Sequence, residues 1–396
     1  MAIATWNFRN LGAGLIIHMD GTPAHVLRGS TIIRSDVMTH SPDGPQPPQG
    51  RRPRFRARRW IITVASVTTL GLVAWPVLDH FDIPPFTDKG DPISFGQGQS
   101  RGVPGKVNPD TLMPTGPERT FTIDDTVDDG TKIARTTLHG EKSGFTGDVW
   151  VWAPDQYLHD KKYARSGFPV MVALPGGPGW PSNYWKETKR KLESSIAKWS
   201  KEGKSLPFIL VMPVLNPDKK HYYDGSDIPG QAKMGTWLTE DVPNLVKQNF
   251  RTLKSRDGWA FMGSSSGGFA SLKAVLKYPD RFKAVIASGP DIVPDSPLWA
   301  GHEKEKQENN PQKLAQKLIN RKGPDVYLAF QVGTKEPVKR LKDVRKFQAR
   351  YGKGPVHTSL RVIEGGKHSA RSYVPSLGEG PLQWISEHMQ GPTPSP

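Results

Sequence analysis

From Arg119 onward, short apolar runs alternate with stretches in which apolar residues recur every three to four positions. The runs "FPVMVALPG" (168–176), "PFILVMPV" (207–214), "GWAFMG" (258–263), "RFKAVIASG" (281–289), "DVYLAFQVG" (325–333) and "HTSLRVIEGG" (357–366) predict buried strands. Each is followed by an amphipathic pattern that predicts a helix, over 183–200, 236–250, 268–279, 311–322, 338–352 and 381–389 respectively. Continuous apolar strands, each followed by a helix, predict an α/β fold with a doubly wound, mainly parallel sheet covered on both faces. Ahead of them "TKIARTTLHG" (131–140) and "GDVWVWAPD" (147–155) alternate in polarity and predict an antiparallel start to that sheet. In such sheets functional groups gather in the loops after the carboxyl ends of the strands.

The chain before Arg119 is patterned differently. Trp60 to Leu78 carries no charged residue and is long enough to cross a bilayer core, which takes about 20 residues. Six arginines in "RRPRFRARR" (51–59) precede it, and arginines hold a flank in the cytoplasm. The predicted topology is an uncleaved anchor over 60–78, with everything from residue 79 onward outside. A cleaved signal peptide would have a shorter apolar core and a small-x-small site, which "PVLD" (76–79) does not supply. Residues 1–59 read as a basic, proline-rich disordered tail, within which Met38 reads as an alternative translation start that would leave 1–37 outside the protein. Residues 79–118, rich in Pro, Gly and Asp, read as a linker. The globular domain is therefore expected over 119–391, with 392–396 as a short tail.

Composition changes this picture little. The formal net charge is +16, but the densest basic cluster is accounted for as the flank of the predicted span, and no nucleic-acid-binding fold with interleaved aromatics is present in the pattern, so no nucleic-acid partner is expected. The chain has no cysteine, which excludes disulfides and thiolate chemistry. No metal or organic cofactor is implied.

The chemistry is concentrated at three strand ends. Gly263-Ser264-Ser265-Ser266-Gly267 lies between a strand and a helix and fits G-x-S-x-G, a sharp turn that exposes a nucleophile. The register selects Ser265, because centring the motif on Ser264 or Ser266 would put Met262 or Ser264 where glycine is needed. The Ser266 N–H then lies at a helix start, where it can stabilise an oxyanion. A serine needs a base and a group that orients the base, and on such a turn the order along the chain is serine, acid, histidine. Of the later histidines His368 alone lies just past a strand end; His357 opens that strand, His388 is in the last predicted helix, and His302, in a charged stretch, stays second. Glu336 follows the penultimate strand, whereas Asp343 is on the next helix and Asp325 precedes the strand. The loop "PGGPGW" (175–180) should supply a second oxyanion donor, assigned to Gly177. The long aromatic loop 216–235 is expected to shape the pocket.

With these residues in place, the region from about 119 to 390 resembles the esterase D branch of the α/β-hydrolases. That branch includes S-formylglutathione hydrolases, feruloyl esterases and mycolyltransferases. "FILVMPV" and "TWLTEDVPNLVKQNF" are similar to mycolyltransferase elements, Glu336 in "VGTKEP" follows a similar turn, and the serine after His368 in "KHSARSY" matches that family. The oxyanion loop "LPGGPGW" differs from the mycolyltransferase segment, and Ala370 and Arg371 stand where that family has an aromatic. The resemblance implies acyl-ester chemistry with Ser265 as nucleophile, Glu336 as acid, His368 as base, and the amides of Gly177 and Ser266 as oxyanion donors. Taken with the anchor predicted from residues 51–78, the expected protein is a membrane-anchored serine esterase outside the cytoplasm, acting on a small-molecule or lipid ester. Acyl transfer to a sugar is the alternative, and a non-catalytic envelope binding protein with the same fold is the rival from another class.

Overall fold

The computed structural model describes residues 90–95 and 106–395. The predicted tail 1–59 with Met38, the predicted span 60–78 and part of the predicted linker lie outside the described residues. Among the described residues, no helix is long and apolar enough to cross a membrane.

The strands are β1 (Pro92–Ile93), β2 (Thr111–Leu112), β3 (Phe121–Thr126), β4 (Lys132–His139), β5 (Thr146–Trp152), β6 (Val170–Leu174), β7 (Ile209–Pro213), β8 (Thr252–Leu253), β9 (Trp259–Ser264), β10 (Ala284–Ser288), β11 (Val326–Gly333) and β12 (Val356–Ile363). Ten of them form one sheet in the order β1-β3-β4-β5-β7-β6-β9-β10-β11-β12, and β2 pairs with β8 beside it. Within this sheet β7, β6, β9, β10, β11 and β12 pair parallel to their neighbours in that order, whereas the pairings β1-β3, β3-β4, β4-β5 and β5-β7 are antiparallel. The sheet is therefore mixed rather than mainly parallel. The reason is local: a few turn residues separate β3 from β4 and β4 from β5, and so short a connection can only reverse the chain. β6, β7, β9 and β10 are buried at every position, as strands covered on both faces must be.

The main helices are α1 (Leu192–Lys201), α2 (Val242–Asn249), α3 (Ser266–Lys277), α4 (Glu303–Glu308), α5 (Pro311–Asn320), α6 (Val338–Tyr351), α7 (Ala370–Leu377) and α8 (Pro381–Glu387). Three of them depart from expectation, among them α4, a short helix in the charged stretch after β10 for which no helix was expected. The helix expected over 183–200 begins only at Leu192, after two single 3-10 turns at Tyr184–Lys186 and Thr188–Arg190 and a left-handed Lys191 (φ 62°). Asn183 causes the interruption: its buried amide donates to Ala173 O and Pro213 O, both at 2.8 Å, so this stretch is fixed to the ends of β6 and β7. α7 has no counterpart in the sequence reading because Pro375 sits inside it and breaks the helical pattern. His388 caps α8 and stacks on Tyr327, with ring centroids 4.2 Å apart.

The predicted linker is largely part of the domain where it is described. β1 extends the sheet edge beside β3, and β2 pairs with β8. Phe95 is 1% exposed and packs on Phe250 and Phe121, with ring centroids 4.9 and 5.5 Å away. Pro/Gly-rich composition concealed this because a two-residue strand and one buried ring produce no periodicity. The tail is also held, Ser395 N donating to Lys162 O at 2.7 Å. Phe95→Ala is expected to lower unfolding free energy by about 3–5 kcal/mol, the usual cost of deleting a buried phenyl ring. Urea unfolding checks this; an unchanged midpoint would mean the segment is a linker after all.

Candidate active site

α3 approaches the end of β6 so closely that side chains are excluded from the contact. A Cβ on Gly267 would lie 2.2 Å from Pro175 O and 2.5 Å from Leu174 O, and one on Gly263 would lie 2.4 Å from Gly267 O. Between these glycines Ser265 is forced to φ 53°, ψ −123°, a conformation a serine adopts only under constraint. Its N–H donates to Ser288 O at 2.9 Å, which fixes the turn to β10. Ser266 opens α3, where helix geometry leaves its N–H without an intrahelical acceptor. Its hydroxyl also donates to Gly177 O at 2.8 Å, a tie between the turn and the 175–180 loop. Gly177 adopts φ +68° and, among the described residues, nothing accepts from its N–H.

Glu336 hangs from the turn after β11, its side chain fully buried. Oε2 accepts from His368 Nδ1 at 2.6 Å; Oε1 accepts from Gly333 N at 2.7 Å and from the Tyr373 hydroxyl at 2.8 Å. Arg340 Nε lies 3.4 Å from Oε2. Burial pushes this carboxyl upward, but the hydrogen bonds from His368, Gly333 and Tyr373 outweigh it and hold the group below the ordinary glutamate value. Burial and the adjacent Glu336 charge raise Tyr373, so it stays a phenol and donates. Tyr373 O also lies 2.8 Å from His368 Nδ1. The His368 Nδ1 hydrogen therefore faces two oxygens, and Nε2 is left free to accept a proton.

Ser265 and His368 line one pocket of about 380 Å³, together with Gly176, Gly177, Tyr184, Arg190, Tyr222 and Tyr373. The structure thus brings Ser265, Ser266, Gly177, Glu336 and His368 to one edge of the sheet. His302 and His357 stand elsewhere, the former capping α4 and the latter paired with Asp325 at 3.0 Å. A serine hydroxyl beside an imidazole oriented by a buried carboxylate can carry out nucleophilic acyl transfer.

Four contributors escaped the sequence reading. Tyr373 sits on the unrecognised α7, and its spacing of five from His368 carried no signal. Tyr184 and Arg190 lie in the stretch read as helix; Tyr184 accepts from Gly176 N at 2.9 Å and bonds Ser264 Oγ. Gly289, just past β10, leaves space for the whole network: a Cβ there would lie 2.2 Å from Tyr373 O, 2.6 Å from Glu336 Oε2 and 2.9 Å from His368 Nδ1. Tyr222, from the loop expected to shape the pocket, does reach it. That loop is anchored from beneath by buried Lys273 of α3, whose ammonium donates to Asp224 O at 2.7 Å and to Ser226 Oγ at 2.5 Å. Burial and the neighbouring Lys277 pull the Lys273 amine down to about 7.

The sequence model of the family described as "Putative esterase" matches residues 148–380. An uncharacterized protein of Corynebacterium glutamicum is 24% identical over 245 residues, which is 59% of this chain and 52% of that protein. The chain thus spans about half the length of that curated relative. Among solved structures, an S-formylglutathione hydrolase from Agrobacterium tumefaciens superposes with a TM-score of 0.53 at 20% identity, over 68% of this chain and 99% of its own. A ferulic acid esterase superposes with a TM-score of 0.52 at 19% identity, over 65% of this chain and 99% of its own. At these identities the structural likeness is one of fold, and the fold is that of the α/β-hydrolases.

Two outcomes follow from the Glu336 cluster. Gly289→Ala should cost about a hundredfold in turnover of an activated ester, the scale of a misplacement of roughly 1 Å, with the fold retained by circular dichroism. Activity near wild type would show that the cluster has slack. A carboxylate depressed in the fold stabilises it above its ordinary value of 4.5, and the contribution is lost as pH falls through the lower folded value. The stability difference between wild type and Glu336→Gln should therefore shrink as pH drops below 4.5 in urea unfolding, whereas a constant difference would mean the donors do not hold the group ionised.

Proposed function

The chain belongs to this esterase family of α/β-hydrolases, and on that premise we propose that it is a serine hydrolase of carboxylic esters. The observation that carries the reading is the strained Ser265 in one pocket with His368, whose Nδ1 is held 2.6 Å from buried Glu336. Ser265 Oγ attacks the ester carbonyl as His368 Nε2 takes its proton. Glu336 keeps the ring oriented and stabilises it once it is charged. The amides of Ser266 and Gly177 hold the tetrahedral oxyanion. His368 then returns the proton to the departing alkoxide, and water, activated by the same nitrogen, releases the acid and restores Ser265.

We place this domain outside the membrane, on an anchor at 60–78. The support is the uncharged Trp60–Leu78 stretch behind six arginines. The short strand β1 and buried Phe95 begin the domain soon after that stretch.

Ser265→Ala should reduce hydrolysis of a p-nitrophenyl ester by roughly 10³-fold or more and abolish labelling by an active-site phosphonate. Full activity in that variant would end the hydrolase reading. Product analysis with water and with a sugar as competing acceptors separates hydrolysis from acyl transfer. Protease accessibility of the domain on intact cells, with membrane fractionation, tests its placement.

A further inference from the structure

The walls of the Ser265 pocket are glycine, serine, alanine, tyrosine and histidine, with one exception. Among the described residues that line it, Arg190 alone carries a fixed charge, and no carboxylate lines it. The Glu336 charge lies behind His368, with its side chain fully buried. Any substrate that fills this pocket therefore meets one permanent cation in the same lining as the reacting serine.

That cation is held in place. Arg190 ends the 3-10 turn Thr188–Arg190, and the left-handed Lys191 follows it. Its Nε donates to Glu187 Oε2 at 3.0 Å. Its guanidinium carbon lies 5.4 Å from the ring centroid of Tyr184. Tyr184 is itself fixed at its hydroxyl by Gly176 N and Ser264, the residue before the nucleophile. The position of the guanidinium is thus tied by a short chain of contacts to the oxyanion loop and the Ser265 turn.

The neighbouring charges do not cancel it. Glu187 is shared between Arg190 and Lys189, the latter at 3.1 Å, and it lies outside the pocket lining, as does Asp125, which accepts from Thr188 Oγ1 at 2.9 Å. Lys191 pairs with Asp128 at 2.8 Å and Lys186 with Asp124 at 2.6 Å, both away from the pocket lining. Among the described residues, the two terminal nitrogens of Arg190 have no acceptor, while the Nε edge is occupied. A guanidinium offering two parallel N–H groups matches the two oxygens of a carboxylate or phosphate.

Resting on the hydrolase reading of the pocket, we propose that Arg190 forms an anion subsite and that the substrate is an ester carrying a carboxylate or phosphate group near the scissile bond. Tyr184, beside the guanidinium, and Tyr222, in the same pocket lining, accommodate the uncharged part of the substrate. The chemistry at Ser265 is unchanged: the anionic group takes no part in bond making and serves to orient the ester.

Two pairs of esters, each corrected for its alkaline hydrolysis rate, test this. Acetoxybenzoate, acetylated at the 4-position, against its methyl ester varies the charge of the leaving group. Mono-p-nitrophenyl adipate against p-nitrophenyl hexanoate varies the charge of the acyl group. The wild type should prefer the anionic member of at least one pair by about tenfold or more in kcat/KM. Arg190→Gln should bring that ratio close to one, and Arg190→Lys should restore part of it. A wild type indifferent to charge in both pairs overturns the proposal, as does a preference that survives Arg190→Gln. Preference for a phosphate-bearing inhibitor over a carboxylate of equal size, or the reverse, then identifies the anion. Calorimetric binding of the same four compounds to Ser265→Ala, with and without Arg190→Gln, separates the two readings. Tighter anion binding that depends on Arg190, without turnover in the wild type, keeps the subsite and removes the hydrolase. Equal binding of charged and neutral members removes the subsite whatever the turnover.

Discussion

The active edge of this protein depends on how closely the nucleophile helix approaches the end of its neighbouring strand. Leu174 O and Pro175 O stand where a side chain on Gly267 would have to be, and Gly267 O stands where one on Gly263 would be. Contact at that range fixes the backbone between them and holds Ser265 at φ 53°. Such strain costs on the order of 1–3 kcal/mol and persists only where the surroundings over-determine it. Here the surroundings are Ser288 O on one side and the Ser266–Gly177 tie on the other. One steric constraint thus sets the backbone of the serine, starts the helix that follows it, and brings that helix against the loop that carries Gly177.

The electrostatics follow from a second arrangement built on the adjacent strands. Gly289 N donates to Gln331 O at 2.7 Å and Lys335 N donates to Gly366 O at 2.9 Å, so the chain stays in register past the strand ends. Glu336 is thereby buried where three donors converge on it. A buried carboxylate without them would be driven toward its neutral form; with them it stays charged and His368 stays oriented. The absence of a side chain at Gly289 gives these groups their room. The overall basic charge of the chain has little bearing on this site, since the densest arginine run lies at 51–59 and the pocket lining contributes one arginine.

Much was legible in the sequence because the signals were local. Apolar runs marked β6, β7, β9, β10, β11 and β12, and glycines on either side of Ser265 marked the turn after β9. Strand-end positions were enough to select Glu336 and His368 from several acids and histidines, and the structure places both on one hydrogen bond. The extent of the antiparallel half was less legible, because short strands such as Pro92–Ile93 have no periodicity. Tyr184, Arg190 and α7 were missed for a related reason: Asn183 and Pro375 act through partners or positions that local patterning does not encode.

By itself, the sequence determined the alternation of strand and helix, the serine that a glycine-flanked turn can present, and the order of the three residues around it. These depend on neighbours within a few positions, where steric and hydrophobic rules act directly. Tertiary structure alone decided that Tyr373 would bond the acid, that Gly289 would leave space for three side chains, and that Arg190 would face the serine pocket. Each of these joins residues tens of positions apart, and their proximity comes into existence only when the parallel strands bring their carboxyl ends side by side.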